Sequence, residues 1–140
     1  MGFLVYSRPA IKARAPDDVP HIIISVTTDG DSARFRTNEH TKGILRLKFH
    51  DLEVVVGTLV TEEDLFSDEQ AKEVVHFFNL HKDSVERIVI HCDAGLSRSP
   101  AIAAALSGIH LGDDGVWFKT KRPNSRVYRR VLDAYYGTYE

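Results

Sequence analysis

Cys92 is followed six positions later by Arg98 in the stretch "HCDAGLSRS", residues 91–99. A cysteine thiolate is a strong nucleophile, and a guanidinium can hold two phosphoryl oxygens at once through its planar fork of N–H donors. On one tight loop the pair can attack phosphorus and grip the oxygens around it. Gly95 lies between them and tolerates the unusual φ/ψ that a loop needs to wrap its amides around one point. The run before the cysteine, "RIVIH" (87–91), is apolar, and "AIAAAL" (101–106) follows the arginine. The loop therefore sits where a strand ends and a helix begins. Unpaired backbone amides converge there, and the helix dipole adds about half a positive charge. This setting predicts an anion cradle with Cys92 ionised at neutral pH, since helix-terminal electropositive sites bring thiols down to roughly 3.5–7.5.

The elements that must position this loop are legible in the pattern of apolar residues. "FLVYS" reads as a short strand, and "SRPAIKARA" as a brief helix with Pro9 in its first turn. "HIIISVTT" (21–28) is β-branched and almost continuously apolar, as expected of a strand covered on both faces. Residues 29–43 are polar with glycine at both ends and read as a loop. "ILRLKF" (44–49) alternates as a strand does, leaving His50 and Asp51 at its carboxyl end, and residues 52–66 read as a loop. Ser67 and Gln70 make a capping box for an amphipathic helix over 68–81, with Ala71, Val74, Val75 and Phe78 on one face. Residues 87–91 are a second buried strand. Ile102, Ala105, Leu106 and Ile109 keep helical spacing, with alanines between them that allow close packing all round. Asn124 caps a last helix that carries Tyr128, Val131, Leu132 and Tyr135 on one face. Strands alternating with helices predict a three-layer α/β/α domain around a mostly parallel sheet of about four to five strands. No repeat or low-complexity linker interrupts the chain, so a single domain over 1–140 is expected.

Composition narrows the functional classes. The 140 residues are 43% hydrophobic and 27% charged, as in an ordinary globular protein. Lys+Arg 18 against Asp+Glu 20 gives a net charge of -2, which provides no general pull toward nucleic acid or membrane. One cysteine cannot close an internal disulfide, so nothing demands an oxidising compartment. "MGFLVYSRPAIK" lacks the basic start and long apolar stretch of a secretory signal, and Tyr6 stands where a myristoylation motif wants Ser or Thr. No apolar run approaches the roughly 20 residues that span a bilayer. A cytoplasmic monomer is expected, without metal or organic cofactor.

"HCDAGLSRS" resembles the signature loop of the cysteine-dependent protein tyrosine phosphatases: His-Cys, five residues, Arg, then Ser or Thr. The Ala-Gly-x-Ser-Arg-Ser wording and the small size are most similar to the dual-specificity branch, in particular to compact bacterial and phage proteins. The tight match covers about ten residues, with the strand–loop–helix context extending it to roughly residues 44–110. The resemblance implies that Cys92 attacks phosphorus to form a phosphocysteine, and that Arg98 with the amides of Asp93, Ala94, Gly95, Leu96 and Ser97 holds the phosphoryl oxygens. It implies that Ser99 hydrogen-bonds the sulfur and helps it leave, while His91 orients the loop from behind as a supporting residue. It also implies a general acid on the loop after the preceding strand. Asp51 has that placement, with Asp64 and Glu53 as reserves; the Trp-Pro-Asp wording of the large receptor-type relatives is absent.

The expected substrate is a phosphorylated protein or small phosphomonoester: phosphotyrosine and, because the pocket should be shallow, phosphoserine or phosphothreonine. Asp93 in the loop, with no lysine there, disfavours phosphoinositides. Lys119, Lys121, Arg122, Arg126, Arg129 and Arg130 form a basic cluster that either steers acidic partners or is a solvated helix face. Three other readings use parts of the same sequence. A phosphate-binding module with little turnover would keep the loop. A sulfurtransferase or arsenate reductase also places a cysteine in an anion loop. A metal-dependent phosphohydrolase would use His50 and Asp51, but no second group of ligands has metal spacing, and His76 and His81 do not share a helix face.

Overall fold

The computed structural model describes residues 1–29, 33–55 and 57–137. In chain order the elements are β1 (Gly2–Tyr6), α1 (Arg8–Ala13), β2 (His21–Thr27), β3 (Thr41–Lys48), a 3-10 turn (Glu62–Asp64), α2 (Asp68–His81), β4 (Arg87–His91), α3 (Arg98–Leu111), α4 (Gly115–Thr120) and α5 (Ser125–Tyr136). The four strands form one sheet in the order β1-β4-β2-β3, and every pairing is parallel. Helices cover both faces, so the expected three-layer α/β arrangement is the one that forms.

Alternation along the strands sorts side chains between two cores. Ile22, Ile24 and Val26 of β2, with Ile88 and Ile90 of β4, pack against α2, α3 and α5. Ile23 and Val89 face the other way and meet Ile11 of α1, with Phe35 beside them. β2 is buried along its whole length, as its continuous apolar run requires, whereas the edge strand β3 alternates between exposed positions and half-buried ones, with Leu47 buried near its end. Each fully buried isoleucine or phenylalanine contributes roughly 1.5–3 kcal/mol. α3 is buried on all sides over Arg98–Ser107 because alanines let the sheet and α5 approach closely.

Local signals behave as their chemistry demands. Ser67 and Gln70 form the reciprocal capping box of α2. Asn124 accepts from the Val127 amide at the start of α5. Some boundaries differ from the sequence reading. β3 begins at Thr41 rather than 44 because Thr41 pairs with His21, and its hydroxyl lies 2.8 Å from the His21 Nε2. β2 stops at Thr27, which frees Thr28 from the ladder. The segment read as a loop over 52–66 contains the 3-10 turn, closed by a capping box between Thr61 and Asp64. Tyr135, read as sharing one face of α5 with Tyr128, Val131 and Leu132, is 37% exposed, because the helix has run past the edge of the core by that point. Residues 30–32 of the expected 29–43 loop, residue 56 and residues 138–140 of the expected domain lie outside the described residues. No described helix is long and apolar enough to cross a membrane.

Candidate active site

β4 delivers His91 and Cys92 to the carboxyl edge of the sheet, and α3 begins six residues later at Arg98. The loop between them turns back on itself at Gly95, whose φ is +72°. A Cβ on this residue would lie 2.8 Å from the Ser7 nitrogen and 2.9 Å from the Tyr6 carbonyl carbon. Glycine is therefore needed twice, for its backbone angle and for the closeness of the β1–α1 junction. That junction also braces the loop, since the Cys92 amide donates to the Tyr6 carbonyl at 3.3 Å and the Arg8 amide to that of Asp93 at 3.1 Å. On the opposite side the amides of Arg122 and Asn124 donate to the carbonyls of Leu96 and Ser97.

Donors surround the Cys92 sulfur, and the residue is only 2% exposed. The Gly95 amide lies 3.2 Å from Sγ, the Ser99 amide 3.5 Å, and the Ser99 hydroxyl 3.0 Å. Behind the loop, His91 is fully buried, and its Nε2 lies 2.6 Å from the Ser25 hydroxyl. Its Nδ1 lies 3.4 Å from the Cys92 carbonyl, which can only accept, so Nδ1 carries the proton and Ser25 donates to Nε2. Burial pushes the imidazole down to about 4, so it is neutral at physiological pH and serves as a brace.

Arg98 is 5% exposed and held by three bonds. Its Nη1 donates to the Thr28 hydroxyl at 2.7 Å and to the Phe49 carbonyl at 2.8 Å, and its Nη2 donates to Asp93 Oδ2 at 3.0 Å. Thr28 donates in turn to the same Asp93 oxygen at 3.1 Å. Burial alone would raise the Asp93 carboxyl, but bonds from Arg98 and Thr28 and the charges of Arg98 and Arg8 hold it below the usual carboxylate range. The Arg98 Nε is buried and has no partner among the described residues.

Asp51 lies after β3, beside the loop. Its Oδ1 accepts from the Ser97 hydroxyl at 2.8 Å and from the Asn124 amide nitrogen at 2.9 Å. Asp51, Ser97 and Asn124 line an open cleft of about 340 Å³ with Leu52, Glu53 and Val54. The reserve carboxylates are engaged elsewhere: Asp64 caps the 3-10 turn at Thr61, and Glu53 accepts from the Ser125 amide at the start of α5. Ala94 and Leu96 are exposed on the rim. The basic cluster is not one solvated face. Arg126 donates to the Phe66 carbonyl and pairs with Glu62, leaving its side chain 10% exposed, and Arg130 pairs with Asp68. No group of three or more His, Cys, Asp or Glu among the described residues is placed to hold a metal ion.

Thr28 and the Phe49 carbonyl were missed in the sequence, as were the bracing by residues 6–8 and the bond from Asn124, read there only as a helix cap, to Asp51. The signal available for most of them was position: all but Asn124 come at or just after the carboxyl end of a strand, β1 and β2 flanking β4 and β3 lying one strand further out.

Neither a protein-family model nor a curated protein sequence matches the chain. Solved structures do. Human DUSP28 aligns with a TM-score of 0.62 at 14% identity, covering 97% of this chain and 92% of that one. The human tyrosine phosphatase-like serine/threonine/tyrosine-interacting protein aligns at 0.55 and 17% identity, over 86% of this chain and 78% of its own. The chain has the fold of the dual-specificity phosphatases.

Proposed function

We propose that the protein hydrolyses phosphomonoesters on phosphoproteins, phosphotyrosine foremost and phosphoserine or phosphothreonine as well, through a phosphocysteine. The observation that carries this reading is the state of the Arg98 guanidinium. It has five N–H donors, of which two on Nη1 and one on Nη2 are committed to protein acceptors. Among the described residues the Nε–H and the second Nη2–H have no acceptor, and they lie parallel on one edge of the plane. That edge is the fork that binds two phosphoryl oxygens. A buried donor without an acceptor is costly, roughly 1–3 kcal/mol, and an oxyanion bound there removes the cost.

In this mechanism the Cys92 thiolate attacks phosphorus as the ester P–O bond breaks. Asp51 gives its proton to the leaving oxygen. Loop amides and the Arg98 fork hold the charge that builds on the equatorial oxygens. Water then attacks the phosphocysteine, its proton passes to Asp51, and Ser99 donates to the departing sulfur. Steady-state hydrolysis of p-nitrophenyl phosphate tests the reading. Turnover that resists EDTA, is blocked by vanadate and vanishes in Cys92→Ser is the expected result. Vanadate binding without turnover would make the chain a phosphate-binding module, and turnover lost to chelation would move the chemistry to a metal.

A further inference from the structure

The committed side of the Arg98 guanidinium decides which side is left for substrate. A long arginine side chain has considerable rotamer freedom, and orienting it carries an entropic cost. Here the cost is met before any ligand arrives. The Phe49 carbonyl takes one Nη1 hydrogen from the end of β3, and Thr28, the first residue beyond β2, takes the other. Asp93 closes the triangle by accepting from both Nη2 and Thr28 through a single oxygen. Its other oxygen faces Arg8, 3.7 Å away, and its backbone carbonyl accepts the Arg8 amide. Asp93 thus has support independent of Arg98.

We infer that Thr28 and Asp93 are positioning residues that lock the Arg98 guanidinium with its Nε edge turned toward the phosphoryl group. The inference rests on the phosphatase reading and gives the Asp93 side chain a role distinct from that of its amide. The amide belongs to the oxyanion cradle; the carboxylate acts through Arg98. Asp93 does not block the site, because it uses only one of the two Nη2 hydrogens. Thr28 is the more telling residue, since its hydroxyl accepts from the arginine and donates to the carboxylate, and a methyl in its place can do neither.

The experiment compares Thr28→Val, Thr28→Ser and Asp93→Asn with wild type in the full chain. Melting temperature, kcat and KM for p-nitrophenyl phosphate, and tungstate affinity by calorimetry are measured for each. Thr28→Val should lower kcat/KM by roughly tenfold or more and weaken tungstate severalfold, with the melting temperature little changed. Thr28→Ser should restore both. Asp93→Asn should fall on the same side as Thr28→Val, because the neutral amide holds the guanidinium less tightly. Thr28→Val within twofold of wild type in both readouts overturns the inference. So does an equal loss in Thr28→Val and Thr28→Ser, which would assign the effect to methyl packing. Failure of the phosphatase reading looks different: wild type itself then shows no turnover. If that inactive wild type still binds tungstate, the tungstate comparison alone decides the inference; if it binds none, both fall together.

Discussion

Acidification should unlock the loop through His91 before it affects the carboxylates. His91 is held at about 4 in the folded chain against an ordinary value of 6.5, chiefly because burial penalises the imidazolium. The Arg8 and Arg46 charges reinforce the depression, while the Cys92 carbonyl and Asp93 oppose it. Protonation would also place a hydrogen on Nε2, against the donating hydroxyl of Ser25. The sign follows from which state takes up the proton first. The unfolded chain binds it near 6.5 and the folded chain only near 4, so His91 supports folding fully above 6.5. That support shrinks as the pH falls and is gone below about 4. The gap between the two values corresponds to about 3 kcal/mol, and about 2 kcal/mol of it is already lost on going from pH 7 to pH 5. Against a total stability of about 5–15 kcal/mol, that is a large fraction. Asp17 and Asp93, whose carboxyls sit below their usual range, act in a lower window: their contributions are present above about 4 and lost beneath it. Urea midpoints measured from pH 7 to 4.5 should therefore fall steadily in wild type. His91→Gln, which cannot titrate, should start less stable but show a much flatter slope. A wild-type midpoint unchanged between pH 7 and 5, or an equal slope in His91→Gln, would refute the assignment.

Gly95→Ala should destabilise the chain by roughly 1–3 kcal/mol through strain at positive φ, and the fixed backbone of Tyr6 and Ser7 leaves no room for relaxation. A lowered melting temperature together with reduced vanadate affinity checks it. Asp51→Asn should cut kcat by roughly 10²-fold or more on substrates with poor leaving groups such as phenyl phosphate, and less on p-nitrophenyl phosphate, whose leaving oxygen needs little protonation. It should also remove the basic limb of the kcat profile; an unchanged profile would displace Asp51 from the role.

The fold was readable where local chemistry is self-sufficient. Continuous β-branched runs marked β2 and β4 as central parallel strands because nothing polar there needs water. The Ser67–Gln70 box fixed the start of α2 within a few residues of sequence. The α4 helix had no such signature. Its six residues carry no apolar period, and Trp117 ties it to α3 by donating to the Ser107 hydroxyl at 3.1 Å. The basic cluster misled for a related reason. Charge alone cannot tell that Arg126 reaches the Phe66 carbonyl, a partner 60 positions away.

The same limit applies to the site, but its topology supplies a way past it. Signature residues Cys92, Gly95, Arg98 and Ser99 are neighbours in sequence, so their spacing alone describes a loop. Thr28 and the Phe49 carbonyl touch that loop across gaps of 70 and 49 positions, the Asn124 side chain meets Asp51 across 73, and no periodicity links them. In an all-parallel sheet, however, every strand ends at the same edge. With β4 between β1 and β2, and β3 next to β2, the residues after β1, β2 and β3 must gather around Cys92. They are Ser7 and Arg8, then Thr28, then Phe49 to Asp51. The backbone donors and acceptors freed there have no ladder partner left, so they turn to the loop. Asp51, expected after β3 from the resemblance, lies beside the loop in keeping with this topology, and Thr28 obeys the same logic one strand nearer the cysteine. The side chain that ends a strand beside the nucleophile's strand is thus constrained by topology before any contact is known.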